Sequence, residues 1–166
     1  MNVEISDVPF EDKDIVQNLM QLYQYDFTDC GSLLVNDRGA FVYKYLDLYW
    51  REKDRIPLLI KAGGKIAGFA LLNPISALNQ KEIMSFGEFF ILRYLRNRSI
   101  GKTVAIQIIN RFPGKWEISQ TFENVVAQKF WLKVAKEVVG EDFQFIKLEE
   151  ERKYIITFAN LDVNRF

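Results

Sequence analysis

The sequence predicts a mixed α/β fold around a mostly antiparallel sheet of about six or seven strands, flanked by about four helices. Three observations carry that reading. Ala62-Gly63-Gly64 separates two apolar runs, the signature of a β-hairpin. Two segments, beginning near Asp12 and near Ile100, repeat apolar residues at helical spacing. Strand-like and helix-like stretches alternate along the chain, giving the order β-α-α-β-β-β-α-β-α-β-β.

Each element has a local reason. Residues 2–6 read as a first strand, closed by Asp7 and Pro9. Ile15, Val16, Leu19, Leu22 and Tyr23 trace one face of a helix over 12–26. Residues 27–40, with Asp29, Gly31, Asn36, Asp37 and Gly39, read as a loop, and 43–51 as a second, short helix. The hairpin strands are 56–61 and 65–72, where Pro57 fits only an edge strand or a strand start. A long aromatic strand covers 82–94. Ile100, Val104, Ala105, Ile108, Ile109 and Phe112 form the next helical stripe, stopped by Pro113-Gly114. A short strand at 116–120, a helix from Asn124 and apolar runs at 143–148 and 154–159 complete the order. No repeat, low-complexity tract or long linker divides residues 1–166, so one domain is expected.

Composition narrows the classes of function. A chain of 166 residues buries roughly 70% of its unfolded surface, enough for one core without covalent staples. The core is rich, with 14 Phe among 14% aromatic residues. The 22 basic and 22 acidic residues cancel, leaving no general field to attract nucleic acid. Cys30 stands alone, which suits a reducing cytoplasm and rules out an internal disulfide or a thiolate zinc cluster. The opening residues, with Glu4 and Asp7, do not read as a secretory leader, and no apolar run is long enough to span a bilayer. There is no histidine. Ser-His-Asp and Cys-His chemistry is therefore excluded, no metal site is expected, and proton transfer falls to Glu, Asp, Tyr, Lys or water.

The most informative segment is the junction at 88–103. The strand Glu88-Phe89-Phe90-Ile91-Leu92-Arg93-Tyr94 runs into Arg96-Asn97-Arg98-Ser99-Ile100-Gly101-Lys102-Thr103, where a helix starts. Free N–H groups at a helix start, next to basic and small residues, suit an anion such as a pyrophosphate. Gly101-Lys102-Thr103 mimics the end of a nucleotide P-loop, but that motif needs Gly five residues before Gly101, where Arg96 stands. The Walker reading fails.

Arg96-x-x-Ser99-x-Gly101 is similar to the Arg-x-x-Gly-x-Gly loop that holds the coenzyme A pyrophosphate in the GNAT N-acyltransferase superfamily, with Ser99 in place of the first Gly. Downstream, Asn124-x-x-Ala127-x-x-Phe130-Trp131 resembles the Asn-x-x-Ala-x-x-aromatic-aromatic helix of the same superfamily. The stretch linking them, through Arg111-Phe112-Pro113-Gly114-Lys115-Trp116-Glu117, looks like a bacterial branch of it. The resemblance covers residues 56–135 most closely and the first third of the chain in layout only.

That resemblance implies acetyl-CoA as the donor. The fourth and fifth strands would splay apart around its pantetheine. Ile91, Leu92 and Arg93 would supply backbone contacts, residues 98–103 would wrap the pyrophosphate, and Asn124, Phe130 and Trp131 would close the far side. Asn124 also reads as a helix N-cap, and the paired aromatics as core. The implied chemistry is attack of a neutral amine on a thioester, with an oxyanion donor expected from the backbone near Ile91 or Leu92. Glu88 is the candidate base: alternation puts it on the face of Phe86, Phe90 and Leu92, where apolar neighbours would raise its pKa. Many members place a Tyr where Trp131 stands, and an indole is no acid at neutral pH.

The expected partner is a small-molecule or peptide amine, with no nucleic acid and no membrane. A homodimer stays open. Tyr23, Tyr25 and Asp26 are the candidate acceptor-binding residues, within a region that also holds Asp29, Tyr43, Tyr45, Asp47, Tyr49 and Trp50. Aromatic faces and carboxylates together suit a cationic amine. Three classes remain: an acetyl-CoA-dependent N-acetyltransferase, a non-catalytic coenzyme A-binding module, and a nucleotide-binding or scaffold domain with the fold alone.

Overall fold

A computed structural model describes residues 2–28 and 34–161. The strands are β1 (Val3–Asp7), β2 (Ile56–Ala62), β3 (Lys65–Asn73), β4 (Ile83–Ile91), β5 (Gly114–Thr121), β6 (Phe143–Leu148) and β7 (Lys153–Asn160). The helices are α1 (Lys13–Asp26), α2 (Ile100–Arg111) and α3 (Val125–Val139). The seven strands form one sheet in the order β1-β2-β3-β4-β5-β7-β6. Every neighbouring pair is antiparallel except β4 and β5.

The expected elements are present with boundaries moved by a few residues, and one changes type. A 3-10 segment, Leu46–Trp50, stands where a fourth helix is expected over 43–51. Its amides bond three residues back, Leu46 to Tyr43 and Leu48 to Tyr45, and its buried residues Leu46 and Tyr49 are also three apart. A three-residue turn therefore buries both, and the Trp50 indole ties the segment to the Val8 carbonyl at 2.8 Å. Pro57 is tolerated inside the sheet because it is the second residue of β2, at the strand start.

Strand alternation gives the sheet two apolar faces. On one, Leu58, Ile60, Leu72, Trp116 and Ile118 pack beneath α2 and α3. On the other, Leu59, Phe69, Leu71 and Phe90 pack beneath α1 together with Tyr49. Each such side chain contributes about 1.5–3 kcal/mol on burial, so neither face can be left uncovered. No helix among the described residues is long and apolar enough to cross a membrane.

The parallel seam positions the site. β4 and β5 pair only at Ile83 with Lys115 and Met84 with Trp116, and then separate. Just past that point β4 carries a bulge: Leu72 opposes Phe86 and Leu71 opposes Glu88, leaving Gly87 unopposed. A Cβ at Gly87 would lie 2.3 Å from Asn73 Nδ2 and 2.5 Å from the Tyr49 hydroxyl, so no side chain fits. Those two groups are themselves bonded, Asn73 Nδ2 donating to Tyr49 at 2.9 Å. The bulge is thus built from three residues.

Candidate active site

Where β4 and β5 part, a cleft of about 230 Å³ opens. Glu88, Gly87 and Phe86 line it from β4, Ile118 to Thr121 from β5, Asn124, Ala127 and Trp131 from the start of α3, and Tyr23 and Phe27 from the α1 end. The structure therefore brings together the candidate base and two of the three candidate wall residues, which lie 36 to 43 positions apart in sequence.

Glu88 lies on the α1 face. The bulge at Gly87 shifts the alternation, so Phe90 shares this face while Phe86 turns to the other one and packs on Trp116 and Trp131. The expectation that Glu88 and Phe86 share a face is corrected for that reason. Tyr23 donates to Glu88 Oε2 at 2.5 Å. Burial pushes the Glu88 pKa above the ordinary carboxylate range, while Tyr23 and Tyr43 pull it back by favouring the charged form. Burial and the Glu88 charge hold both phenols well above their ordinary pKa, so they stay protonated and donate.

The β4–α2 junction differs from a plain turn. A 3-10 turn, Arg93–Leu95, follows β4, and Asn97 and Ser99 adopt left-handed backbone, φ 60° and 59°. Ser99 is the N-cap of α2, but its side chain makes no cap bond. Among the described residues, the amides of Asn97 through Lys102 donate to no protein group. A concave run of unpaired amides at a helix start is suited to an anion. Arg98 is exposed beside it, whereas Lys102 is paired with Glu137 at 2.5 Å. A Cβ on Gly101 would meet only Ile91 and Phe130, at 3.6 Å. The fold itself does not require glycine there.

One backbone expectation on β4 is corrected. The Leu92 amide donates to Ala67 O at 2.8 Å, so it is not free for an oxyanion. The Ile91 carbonyl already accepts from Arg96 Nε at 2.8 Å. The residue of β4 without an opposite number on β3 is Gly87, at the bulge.

Across the cleft, Asn124 is the N-cap of α3, its Oδ1 accepting from Ala127 N at 3.0 Å. Trp131 is 6% exposed and lies 4.7 Å from Phe86 and 5.3 Å from Phe89 between ring centroids, so it is core as well as cleft wall. Phe130 stacks on Phe89 at 5.8 Å and is not part of the cleft lining.

Of the three candidate acceptor residues, only Tyr23 lines the cleft. Tyr25 is 66% exposed and is not part of the cleft lining. Asp26 is committed elsewhere: Arg93 donates to its Oδ1 at 2.6 Å and Arg96 bonds its Oδ2. Burial works to raise the Asp26 pKa, but the two guanidinium groups outweigh it and hold the carboxyl below the ordinary range. Asp47 is paired with Lys13 at 2.5 Å. These carboxylates are neutralised, so among the described residues the expected array of free negative charge for a cation reduces to Glu88. Asp29 and Cys30 lie outside the described residues.

Sequence reasoning missed Gly87 and Gln120. The first had a signal, since a lone Gly within a strand pattern marks a bulge or a close backbone approach. The second had none.

No family model matches the chain, and no curated protein matches it. Solved structures do. An acetyltransferase from Thermus thermophilus matches with a TM-score of 0.72 at 13% identity, over 96% of this chain and 97% of that one. The PaiA N-acetyltransferase from Thermoplasma acidophilum, solved in complex with coenzyme A, matches with a TM-score of 0.61 at 14% identity, over 96% and 99%. The ribosomal-protein-S18-alanine N-acetyltransferase from Escherichia coli matches with a TM-score of 0.58 at 10% identity, over 99% and 97%. The fold is that of the GNAT acetyltransferases.

Proposed function

We propose that this chain is an acetyl-CoA-dependent N-acetyltransferase, moving the acetyl group from the thioester to a primary amine of a small molecule or peptide by direct attack. The observation that carries this reading is the cleft between β4 and β5, which has the half-buried Glu88 carboxylate in its wall, on the same strand that leads into the run of unpaired amides at the start of α2. The coenzyme A complex of a protein with the same fold supports the donor.

In the proposed reaction, the amide run from Asn97 to Lys102 and the Arg98 charge hold the pyrophosphate. Glu88 takes a proton from the incoming ammonium, directly or through water, and its raised pKa makes it a better base near neutral pH. The freed nitrogen attacks the carbonyl carbon, the C–N bond forms, and the C–S bond breaks as the oxyanion collapses. The oxyanion donor is assigned to the β4 backbone beside the bulge at Gly87. The departing thiolate belongs to a thiol of pKa about 8.5 and takes up, through water, the second proton that the attacking nitrogen loses on becoming an amide. Tyr23 and Tyr43 hold their protons too tightly for that task.

A second reading, a non-catalytic coenzyme A-binding module, is favoured by Trp131 in the place of the usual Tyr. Thiol release from acetyl-CoA with a panel of primary amines separates the two: amine-dependent release is expected, and coenzyme binding without release with any amine overturns the enzyme. Calorimetry against coenzyme A and ATP decides the ligand. Tighter binding of ATP would overturn both readings.

A further inference from the structure

We propose that Gln120 positions the donor arm, its Oε1 accepting a hydrogen bond from an amide N–H of the pantetheine chain. The inference rests on the cleft reading above. Gln120 lies on β5, is 4% exposed and lines the cleft. Its Nε2 donates to the Ile118 carbonyl at 2.8 Å, which fixes the amide: exchanging nitrogen and oxygen would set two carbonyls against each other. The Oε1 is left buried and, among the described residues, without a partner. Such an acceptor is rare in a folded chain and calls for a donor from outside it.

Its place selects the donor. Alternation along β5 puts Gln120 with Trp116 and Ile118 on the α2–α3 face, whereas Glu88 faces α1. The amine approaches Glu88, so the group beside Gln120 belongs to the other reactant. Asn124 stands in the same wall with its Oδ1 spent on the α3 cap, leaving its Nδ2 without a partner among the described residues. The wall thus offers one fixed acceptor and one free donor, the complement of a secondary amide. The pantetheine arm carries two such amides. Gln24 also has an orphaned Oε1, but it is not part of the cleft lining.

The test is calorimetry of wild type and Gln120→Met with coenzyme A, with analogues in which one or the other pantetheine N–H is replaced by an ester oxygen, and with 3′-phospho-ADP, which lacks the arm. One ester analogue is expected to bind wild type about tenfold more weakly than coenzyme A. The variant is expected to bind coenzyme A about tenfold more weakly and to lose that discrimination, with 3′-phospho-ADP unchanged. An equal amide-to-ester ratio in both proteins overturns the role of Gln120 while leaving the cleft assignment standing. If the variant does not fold, wild type decides alone: no loss with either ester means that a bound water serves the carbonyl, and the proposal fails. Wild type that binds neither coenzyme A nor 3′-phospho-ADP overturns the cleft reading and this inference together.

Discussion

Glu88 is held between opposing influences, and they fix two measurable pH dependences. Burial raises its pKa, and the phenols of Tyr23 and Tyr43 lower it by a smaller amount. A carboxyl that binds its proton more tightly in the fold than in the unfolded chain stabilises the fold fully below the ordinary carboxylate range. That stability is lost as pH rises through the raised value. Activity runs the other way, because the base must be ionised. Glu88→Gln should therefore flatten the loss of stability across this window, followed by urea unfolding at several pH values. It should also lower turnover by about a hundredfold with coenzyme binding retained; full turnover at every pH would remove Glu88 from the mechanism. Tyr23→Phe deletes a group that lowers the Glu88 pKa, so the acid limb of the kcat/KM profile should move to higher pH. A limb that stays put or moves down would contradict the assignment.

Two glycines act at the scale of elements, with opposite expected effects. Gly87 is required by the protein: a methyl group there collides with the Asn73 and Tyr49 side chains that bond to each other beside β4. Gly87→Ala should cost about 1–3 kcal/mol of stability, read as a lowered urea midpoint, and should disturb the opening between β4 and β5. Gly101 is free of such contacts, so Gly101→Ala should leave stability unchanged or raise it by about 0.5–1 kcal/mol as a helix substitution. The same change should weaken coenzyme A binding about tenfold, because it adds a methyl to the second residue of α2, within the amide run proposed to hold the pyrophosphate. Undiminished affinity would place the pyrophosphate elsewhere. The elements themselves are largely legible in the sequence. Helical stripes in α1 and α2 and the Gly63-Gly64 turn report on local burial, which a sequence pattern records directly. The 43–51 segment misleads because residues spaced three apart satisfy a 3-10 turn as well as a helix.

At the scale of the whole molecule, what the sequence conceals is how charges are shared between distant segments. Asp26 looks available for a cation until α1 docks and its carboxylate meets Arg93 and Arg96, some 67 and 70 positions away. The Glu88–Phe86 relation fails for a similar reason, since a bulge is decided by the strand opposite. The loop proposed to hold the coenzyme is readable because its residues are contiguous. The rest of the site is assembled from β4, β5, α1 and α3 and becomes visible only with the fold.

The gap between β4 and β5 is lined from both faces of the sheet, by Tyr23 and Glu88 on the α1 side and by Asn124 and Trp131 on the α3 side. Two reactants held on opposite sides can occupy the passage at the same time, and neither has to leave before the other arrives. Initial-rate plots with both substrates varied should then give intersecting lines. Parallel lines, the mark of a covalent acyl-enzyme relay, would mean that the passage admits one guest at a time.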